Sequence, residues 1–405
     1  MYDCGKIRSK AVKNQLTGAS MNNPKRCPLY KKCGGCQIHN MDYEAQLDFK
    51  MKKVVRLLGR FHYVENIIGM DNPYHYRNKV QAAFGRDKQN RIISGVYQSS
   101  THRIVPVDNC LIEDKKADEI IVTIRKLIKS FKLGTFDENK MVGFLRHVLV
   151  KRGFASGEIM VVLVTGTEEF KSKRSFINAL LERHPDITTI VQNINNKRTN
   201  LVLGEKMITL YGDGVIKENL CGYTFTISPK AFYQINPVQT EILYNKAMEF
   251  ADIKKSDIVI DAYCGTGTIG IIASKYAGHV YGVELNKDAV RDAKKNAKLN
   301  NIENIDFVNT DAGRYMVNIA DEGLKADVVI MDPPRAGSDI KFLKSLVKLS
   351  PKKVVYISCN PETLARDLMF LSKNRYKIRK IQPVDMFPHT EHVECAALLE
   401  FNPKR

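Results

Sequence analysis

The segment "DIVIDAYCGTGTIGIIASKYAGHVYGVE", residues 257–284, constrains the fold more than any other. An apolar run, "IVI", leads into a loop with glycines at 265, 267 and 270. A helix-like run follows, then a second apolar run that ends on Glu284. Glycines let the backbone turn sharply and pass close to a ligand, and the next helix offers free N–H groups at its N-terminus. An acid closing the second strand, about twenty residues on, can bind both hydroxyls of a ribose. Further strand-like runs fall at 305–308, 327–331 and 353–358, with helix-like segments between them. Strands alternating with helices predict an α/β fold, a parallel sheet doubly wound by helices.

The ligand of this loop is open to two readings. "GTGTIG" satisfies the GxGxxG of a dinucleotide site, which suits a nicotinamide cofactor. Asp261 at the start of the loop opposes that reading, because its charge repels a pyrophosphate and attracts the amino end of S-adenosylmethionine. "MDPPR" (331–335), at another strand end, has the form that methyltransferases place beside the reacting methyl group. It does not name the acceptor. Arg335 follows the prolines, where amino-group methyltransferases usually carry an aromatic and RNA cytosine methyltransferases often a cysteine.

Charge points to the partner. The formal net charge is +19, and the first sixty residues hold 13 Lys and Arg against 4 Asp and Glu. Such an excess favours a polyanion, nucleic acid above all. Arg77 and Lys79 in "HYRNK" are candidate phosphate contacts. Hydrophobic content of 44% and charged content of 26% are globular values, and 405 residues suit two or three domains. No apolar stretch reaches the roughly 18–20 residues that span a bilayer. The basic N-terminus lacks the apolar core of a secretory signal, so a cytoplasmic protein is expected. "YEAQLDFKMKKVVRLLGRF" (43–61) reads as an amphipathic helix on Leu47, Met51, Val54, Val55 and Leu58, and "GEIMVVLVTG" (157–166) as a buried strand.

Nine cysteines in a reducing compartment suggest metal binding or catalysis rather than disulfides. Cys27, Cys33 and Cys36 in "CPLYKKCGGCQIH" have the spacing C-x5-C-x2-C, and Cys110 in "VDNCLIED" is the natural fourth thiolate. Four thiolates suit either a tetrahedral zinc or a [4Fe–4S] cluster, and the spacing does not separate them. Cys359 in "SCNP" is different. It sits between an apolar strand and a helix start, with Pro361 suited to the first turn. A helix dipole there favours a thiolate, so Cys359 is either a buried small residue or a nucleophile. Cys264, in the glycine loop, and Cys395 are expected to pack, the latter on the face opposite Glu394.

Taken together, "CPLYKKCGGCQIHNMDYEAQL", "YRNKVQ", "FLRHVLVKRG", "SPKAFYQINPVQTEILY", "DAYCGTGTIG", "MDPPRAG", "SCNP" and "HTEHVECAALLE" resemble the RNA 5-methyluridine methyltransferases, from residue 27 onward. The resemblance implies a class I, Rossmann-like methyltransferase domain over 226–405 that uses S-adenosylmethionine. It also implies an α+β RNA-binding domain with an iron–sulfur site over 27–225. Cys359 would be the nucleophile and Glu394 the general base. Gln234, Tyr263, Gly265, Glu284, Asp311 and Asp332 would hold the cofactor. Cys27, Cys33, Cys36 and Cys110 would carry a [4Fe–4S] cluster, as in the 23S ribosomal RNA branch, so 23S ribosomal RNA is the expected substrate and a monomer the expected state. Residues 1–26 form a basic arm too short for the small β-barrel with which many members begin. Thr268 stands where some relatives have Asn. Asp332 competes with Glu394 as base, transfer RNA is an alternative substrate, and a non-catalytic RNA-binding iron–sulfur module is a third reading.

Overall fold

The computed structural model describes residues 27–99 and 101–403; the basic arm expected at 1–26 lies outside them. A single-turn helix, α1 (Tyr30–Cys33), and a longer one, α2 (Tyr43–Leu58), open the described chain. A first sheet then forms from β1 (Lys79–Arg86), β2 (Ile92–Tyr97), β3 (Ile104–Pro106), β4 (Leu145–Arg152), β5 (Ile159–Thr165), β6 (Ile187–Ile194) and β7 (Lys206–Tyr211), in the spatial order β3-β2-β1-β4-β5-β6-β7. It is antiparallel except for β5 and β6, which are parallel and joined through α4 (Lys173–Arg183). Together with α3 (Lys115–Ser130), α4 covers one face.

The burial of β5 follows from its sequence. Every residue of "IMVVLVT" is buried, and side chains alternate between faces. Ile159, Val161 and Leu163 join the core under α3 and α4. Met160, Val162 and Val164 point the other way, into a core shared with the second half of the chain. One apolar strand thus ties the two halves together.

A ribbon of β8 (Ile216–Leu220) and β9 (Tyr223–Ile227) leads into the second half. The boundary expected at about 225 falls inside β9. Next come α5 (Pro237–Ala251), β10 (Ile258–Ala262), α6 (Thr268–Ser274), β11 (His279–Glu284), α7 (Lys287–Leu299), β12 (Ile305–Asn309), α8 (Ala312–Asp321), β13 (Val328–Met331), α9 (Ile340–Leu349), β14 (Lys353–Ser358), α10 (Pro361–Lys373), β15 (Tyr376–Val384) and β16 (Glu394–Phe401). The sheet order is β12-β11-β10-β13-β14-β16-β15. β10 to β14 are parallel with helices on both faces, as the alternation predicts. The last two strands are antiparallel: the link between β15 and β16 is too short for a crossover helix, so β16 slots between β14 and β15 against the direction of both.

The helix at 43–61 is present, but its buried face is not the apolar stripe the sequence suggests. Gln46, Lys50, Val54 and Leu58 are buried, while Val55 is exposed. Though it precedes the first sheet in the chain, α2 packs on the second, with Val54 and Leu58 in the core of α8, α9 and α10. Its two buried polar residues meet the link that precedes β16. Lys50 Nζ lies 2.5 Å from Asp385 Oδ1 and donates to the Phe387 carbonyl at 3.0 Å. Tyr43 donates its hydroxyl proton to Asp385 Oδ2 at 2.9 Å. Gln46 accepts the His389 N–H through Oε1 at 2.8 Å.

Burial lowers Lys50, and the Asp385 carboxylate offsets this. Removing one member of such a buried pair leaves an uncompensated charge and costs about 3–5 kcal/mol, whereas an apolar replacement of both is often neutral. Asp385→Ala should therefore lower the melting temperature strongly. Lys50→Met combined with Asp385→Leu should recover most of the loss, and calorimetry of the three variants checks both statements.

Candidate functional site

The glycine loop forms as the sequence predicts. Tyr263 and Gly265 have φ of +63° and +54°, and Gly267 caps α6 at +82°. A Cβ on Gly265 would meet nothing within 4 Å, because it opens onto a cavity; one on Gly267 would lie 2.8 Å from the Phe307 ring. Asp261 behaves differently from expectation. It is fully buried behind the loop, where Oδ2 accepts the Gly270 N–H at 2.7 Å. Burial, with Asp332 and Glu284 nearby, pushes it up to about 8. It holds the loop in shape and is not part of the cavity wall.

The cavity, about 950 Å³, lies at the carboxyl ends of the parallel strands, against residues 228–234. In this sheet the chain order reverses between β10 and β13, where α/β folds leave a crevice for ligands. Gln234, Tyr263, Gly265, Glu284, Asp311, Asp332, Cys359 and Glu394 all line it. Glu284 ends β11; its Oε2 accepts the Gly265 N–H at 3.1 Å and its Oε1 the Asn286 N–H at 2.7 Å. Asp311 caps α8 through the Arg314 N–H at 2.8 Å. The Tyr263 ring packs 4.9 Å from that of Phe342. Gln234 is set by its backbone, whose carbonyl accepts from Asn78 Nδ2 at 3.2 Å.

Three neighbouring strands supply the chemistry. Asp332 follows β13, Cys359 follows β14, and Glu394 begins β16. The β14–β16 ladder pairs Ser358 with Cys395, which brings the next residue along each strand, Cys359 and Glu394, together. Asn360 caps α10 by accepting the Glu362 N–H at 3.1 Å, with Pro361 in the first turn. The expected thiolate at this helix start is not what the surroundings favour. Burial, then Glu394 and Asp332, push the Cys359 thiol up to about 11, against smaller lowering effects of its own N–H and Arg335. The two carboxyls are raised as well. Glu394 is raised well above the usual range by burial and by Asp332, and burial takes Asp332 to about 7. A thiol, two carboxyls and apolar walls from Pro333, Pro334 and Phe387 can add to a planar ring and move a proton on it.

The other cysteines divide. Cys264 lines the cavity, but burial raises its thiol far above the usual range, and Cys395 is fully buried on the opposite face. In the N-terminal segment, Gly34 at φ +72° ends α1, and the Gly35 N–H donates to Cys33 Sγ at 3.2 Å. Cys36 is pushed up to about 12 by burial, with Cys33 and Cys27 adding to it and Arg77 opposing. Cys110 is raised by burial and by Glu113. Arg77 thus faces the cysteines rather than open solvent. Among the described residues, no three His, Cys, Asp or Glu side chains are disposed to hold a single metal ion.

Sequence reasoning missed the link between these two regions. His39 Nε2 accepts the Cys27 N–H at 3.1 Å, and His39 Nδ1 lies 3.1 Å from His389 Nδ1. His392, beside Glu394, lies 3.2 Å through Nδ1 from Arg335. A signal was present in the histidines of "PHTEHVE", but nothing in the sequence paired them with residue 39.

No helix among the described residues is long and apolar enough to cross a membrane. The tRNA (Uracil-5-)-methyltransferase family model matches residues 42–402. The chain is 43% identical over 392 residues to an uncharacterized RNA methyltransferase of Clostridium tetani, covering 96% of this chain and 85% of that one. It is 43% identical over 379 residues to one from Halalkalibacterium halodurans, covering 92% and 82%. Among solved structures, it resembles the Pyrococcus abyssi tRNA (uracil-54, C5)-methyltransferase in complex with S-adenosyl-L-homocysteine, with a TM-score of 0.75 and 30% identity over 90% of this chain and 85% of that one. This chain belongs to the tRNA (uracil-5-)-methyltransferase family and is an RNA (uracil-5-)-methyltransferase.

Proposed function

We propose that the protein methylates carbon 5 of a uridine in 23S ribosomal RNA through a covalent Cys359 adduct. The observation that carries this reading is the convergence of Cys359, Glu394 and Asp332 at three adjacent strand ends of one cavity. S-adenosylmethionine supplies the methyl group. The open space at Gly265, the ribose-binding carboxylate Glu284 and the loop before α6 fit it, with Gln234, Tyr263, Asp311 and Asp332 around them.

Carbon 5 of uracil is a poor nucleophile. The Cys359 thiolate adds to carbon 6, and the displaced π electrons reach the carbon 4 oxygen as an enolate. Carbon 5 then takes the methyl group. Glu394 removes the proton left on carbon 5, the double bond reforms, and the carbon 6–sulfur bond breaks with its electrons returning to sulfur. Burial, then Glu394 and Asp332, raise the Cys359 thiol in the free protein, so the thiol must give its proton to a base as the carbon 6–sulfur bond forms.

Transfer RNA is the second reading, favoured by the name of the family and of the Pyrococcus structure. The four cysteines favour the ribosomal branch. Burial raises Cys33 and Cys36, the neighbouring thiols add to it, and cationic iron relieves that repulsion. The Gly35 N–H on Cys33 Sγ is the hydrogen bond that a cluster thiolate uses. Cys27, Cys33, Cys36 and Cys110 would hold a [4Fe–4S] cluster that staples residues 27–36 to the segment near 110.

Cys359→Ala should form no covalent adduct and transfer no methyl group. Glu394→Gln should complete methyl transfer and stall, leaving a methylated protein–RNA complex that survives denaturing gels. Sequencing the trapped RNA from a cell extract should return 23S ribosomal RNA; transfer RNA would decide for the second reading. If a folded Glu394→Gln protein turns over normally, the base lies elsewhere.

The pH dependence has a definite sign. Only the Glu394 carboxylate can take the proton, so turnover falls as pH drops through its raised pKa. Asp332→Asn removes the like charge, lowers that pKa, and should move the acid limb of the residual activity to lower pH. An unmoved limb would assign it to another group.

Anaerobically purified protein should be brown, with about four irons per chain, and Cys110→Ser should lower its folding yield. Stoichiometric zinc and a colourless protein would reject the cluster.

A further inference from the structure

The loop before Glu394 is clamped by the segment that follows the N-terminal cysteines. β15 and β16 pair Val384 with Glu394, so residues 385–393 close a hairpin whose last rung carries the carboxyl. A terminal rung has the ladder on one side only, and the loop supplies the rest of its support. Within that loop His389 has a φ of +67°. A residue with a side chain keeps this left-handed conformation only where its surroundings over-determine it.

Those surroundings are residues 38–46. The His389 N–H donates to Gln46 Oε1 at 2.8 Å, and its carbonyl accepts the Ile38 N–H at 3.2 Å. The ring is fixed by the same segment. His39 Nε2 accepts the Cys27 N–H at 3.1 Å, so in the neutral imidazole Nδ1 carries the proton and donates it to His389 Nδ1, 3.1 Å away. Gln46 Nε2 lies 3.1 Å from that same nitrogen and donates to the Met41 carbonyl at 3.0 Å. The His39 and His389 rings meet edge to face with 4.6 Å between centroids. His39, Gln46 and His389 are all buried, where a lost hydrogen-bond partner is costly. The next residues move with His389. Thr390 bonds back to the Phe387 carbonyl through its N–H at 3.2 Å and its hydroxyl at 2.8 Å, and the His392 N–H donates to Thr390 Oγ1 at 3.3 Å.

We propose that His39 and Gln46 are positioning residues for the proton-removal step. Through His389 they set the reach of the Glu394 carboxylate to carbon 5 of the uracil, so the cysteine segment acts on one step of the reaction and not on the fold alone. The assignment rests on the covalent reading above, in which Glu394 acts only after methyl transfer. At that step the carboxylate takes the carbon 5 proton, the carbon–hydrogen electron pair forms the double bond to carbon 6, and the carbon 6–sulfur pair returns to Cys359. Cys359 and the glycine loop are carried by other strands, so addition and methyl transfer do not depend on this clamp.

The test is a rapid-quench time course with S-adenosylmethionine labelled in its methyl group and total RNA from cells that lack the gene. It reads the methyl groups transferred to RNA and the share of them that migrates with protein on denaturing gels. His39→Phe keeps an aromatic ring and loses both nitrogens; Gln46→Met keeps the length and loses both bonds to His389. Each should leave methyl transfer in the first turnover within about twofold and slow product release roughly ten- to hundredfold, the cost of moving a reacting group by about 1 Å or less. The methylated protein–RNA complex then builds up during turnover, and kcat and KM fall together. Selective slowing of release in either variant supports the role. Adding that substitution to Glu394→Gln should slow release no further, because the group being positioned is already gone. Further slowing there would assign the effect to the fold. Unchanged release in both variants, or transfer and release lost in equal measure in both, overturns the positioning role while Glu394→Gln still traps the complex. If neither the unaltered protein nor Glu394→Gln forms a covalent complex, the covalent reading falls and this assignment with it.

Discussion

Three acidic groups confined to one corner govern this molecule. Asp332, Cys359 and Glu394 sit at the ends of three adjacent strands, and burial raises the pKa of each. Burial disfavours the charged form of each, and the charge of Asp332 adds to this at Glu394 and Cys359. The sheet makes that arrangement possible. β16 must run antiparallel to β14 for Glu394 to start where Cys359 ends. A further parallel strand in that place would carry its first residue to the opposite edge of the sheet, away from the cavity.

The link between β15 and β16, residues 385–393, therefore has to be held firmly, because it sets where Glu394 begins. It is held by the N-terminal segment. Lys50 and Tyr43 grip Asp385, Gln46 grips His389, and Tyr76 donates its hydroxyl proton to the Pro388 carbonyl at 3.0 Å. His39 adds a contact from the cysteine segment itself, since its other ring nitrogen accepts the Cys27 N–H. Polar groups in a buried helix face cost stability unless satisfied, and here nearly every one is spent on this link. The cysteine segment and the catalytic link are neighbours in space although more than three hundred residues separate them in the chain.

The two halves are also one structure in their cores. β5 gives alternate residues to the core under α3 and α4 and to the core behind the second sheet. A lysine-lined cavity lies along that junction, with one wall from β1 and β4 and the other from residues 229–232.

Much of this was determined by the sequence alone. The glycine loop, the acid at residue 284 and the regular alternation of strands and helices dictate a doubly wound sheet, because each follows from local backbone and burial rules. "SCNP" and "MDPPR" mark strand ends by the same logic, and the quoted motifs place the chain in its family. What only the tertiary structure decided depends on contacts between distant residues. The period of α2 suggested an apolar stripe, yet Gln46 and Lys50 face inward because their partners, Asp385 and His389, arrive from the far end of the chain. A helix dipole argued for a thiolate at Cys359, yet burial and then two carboxyls from neighbouring strands outweigh it. Asp261 looked like a ligand for the cofactor's amino end, yet it braces Gly270. The register that sets Lys79 against Lys151 joins strands more than sixty residues apart. Local pattern specifies elements and their ends; which charges face one another is settled only when the sheets close.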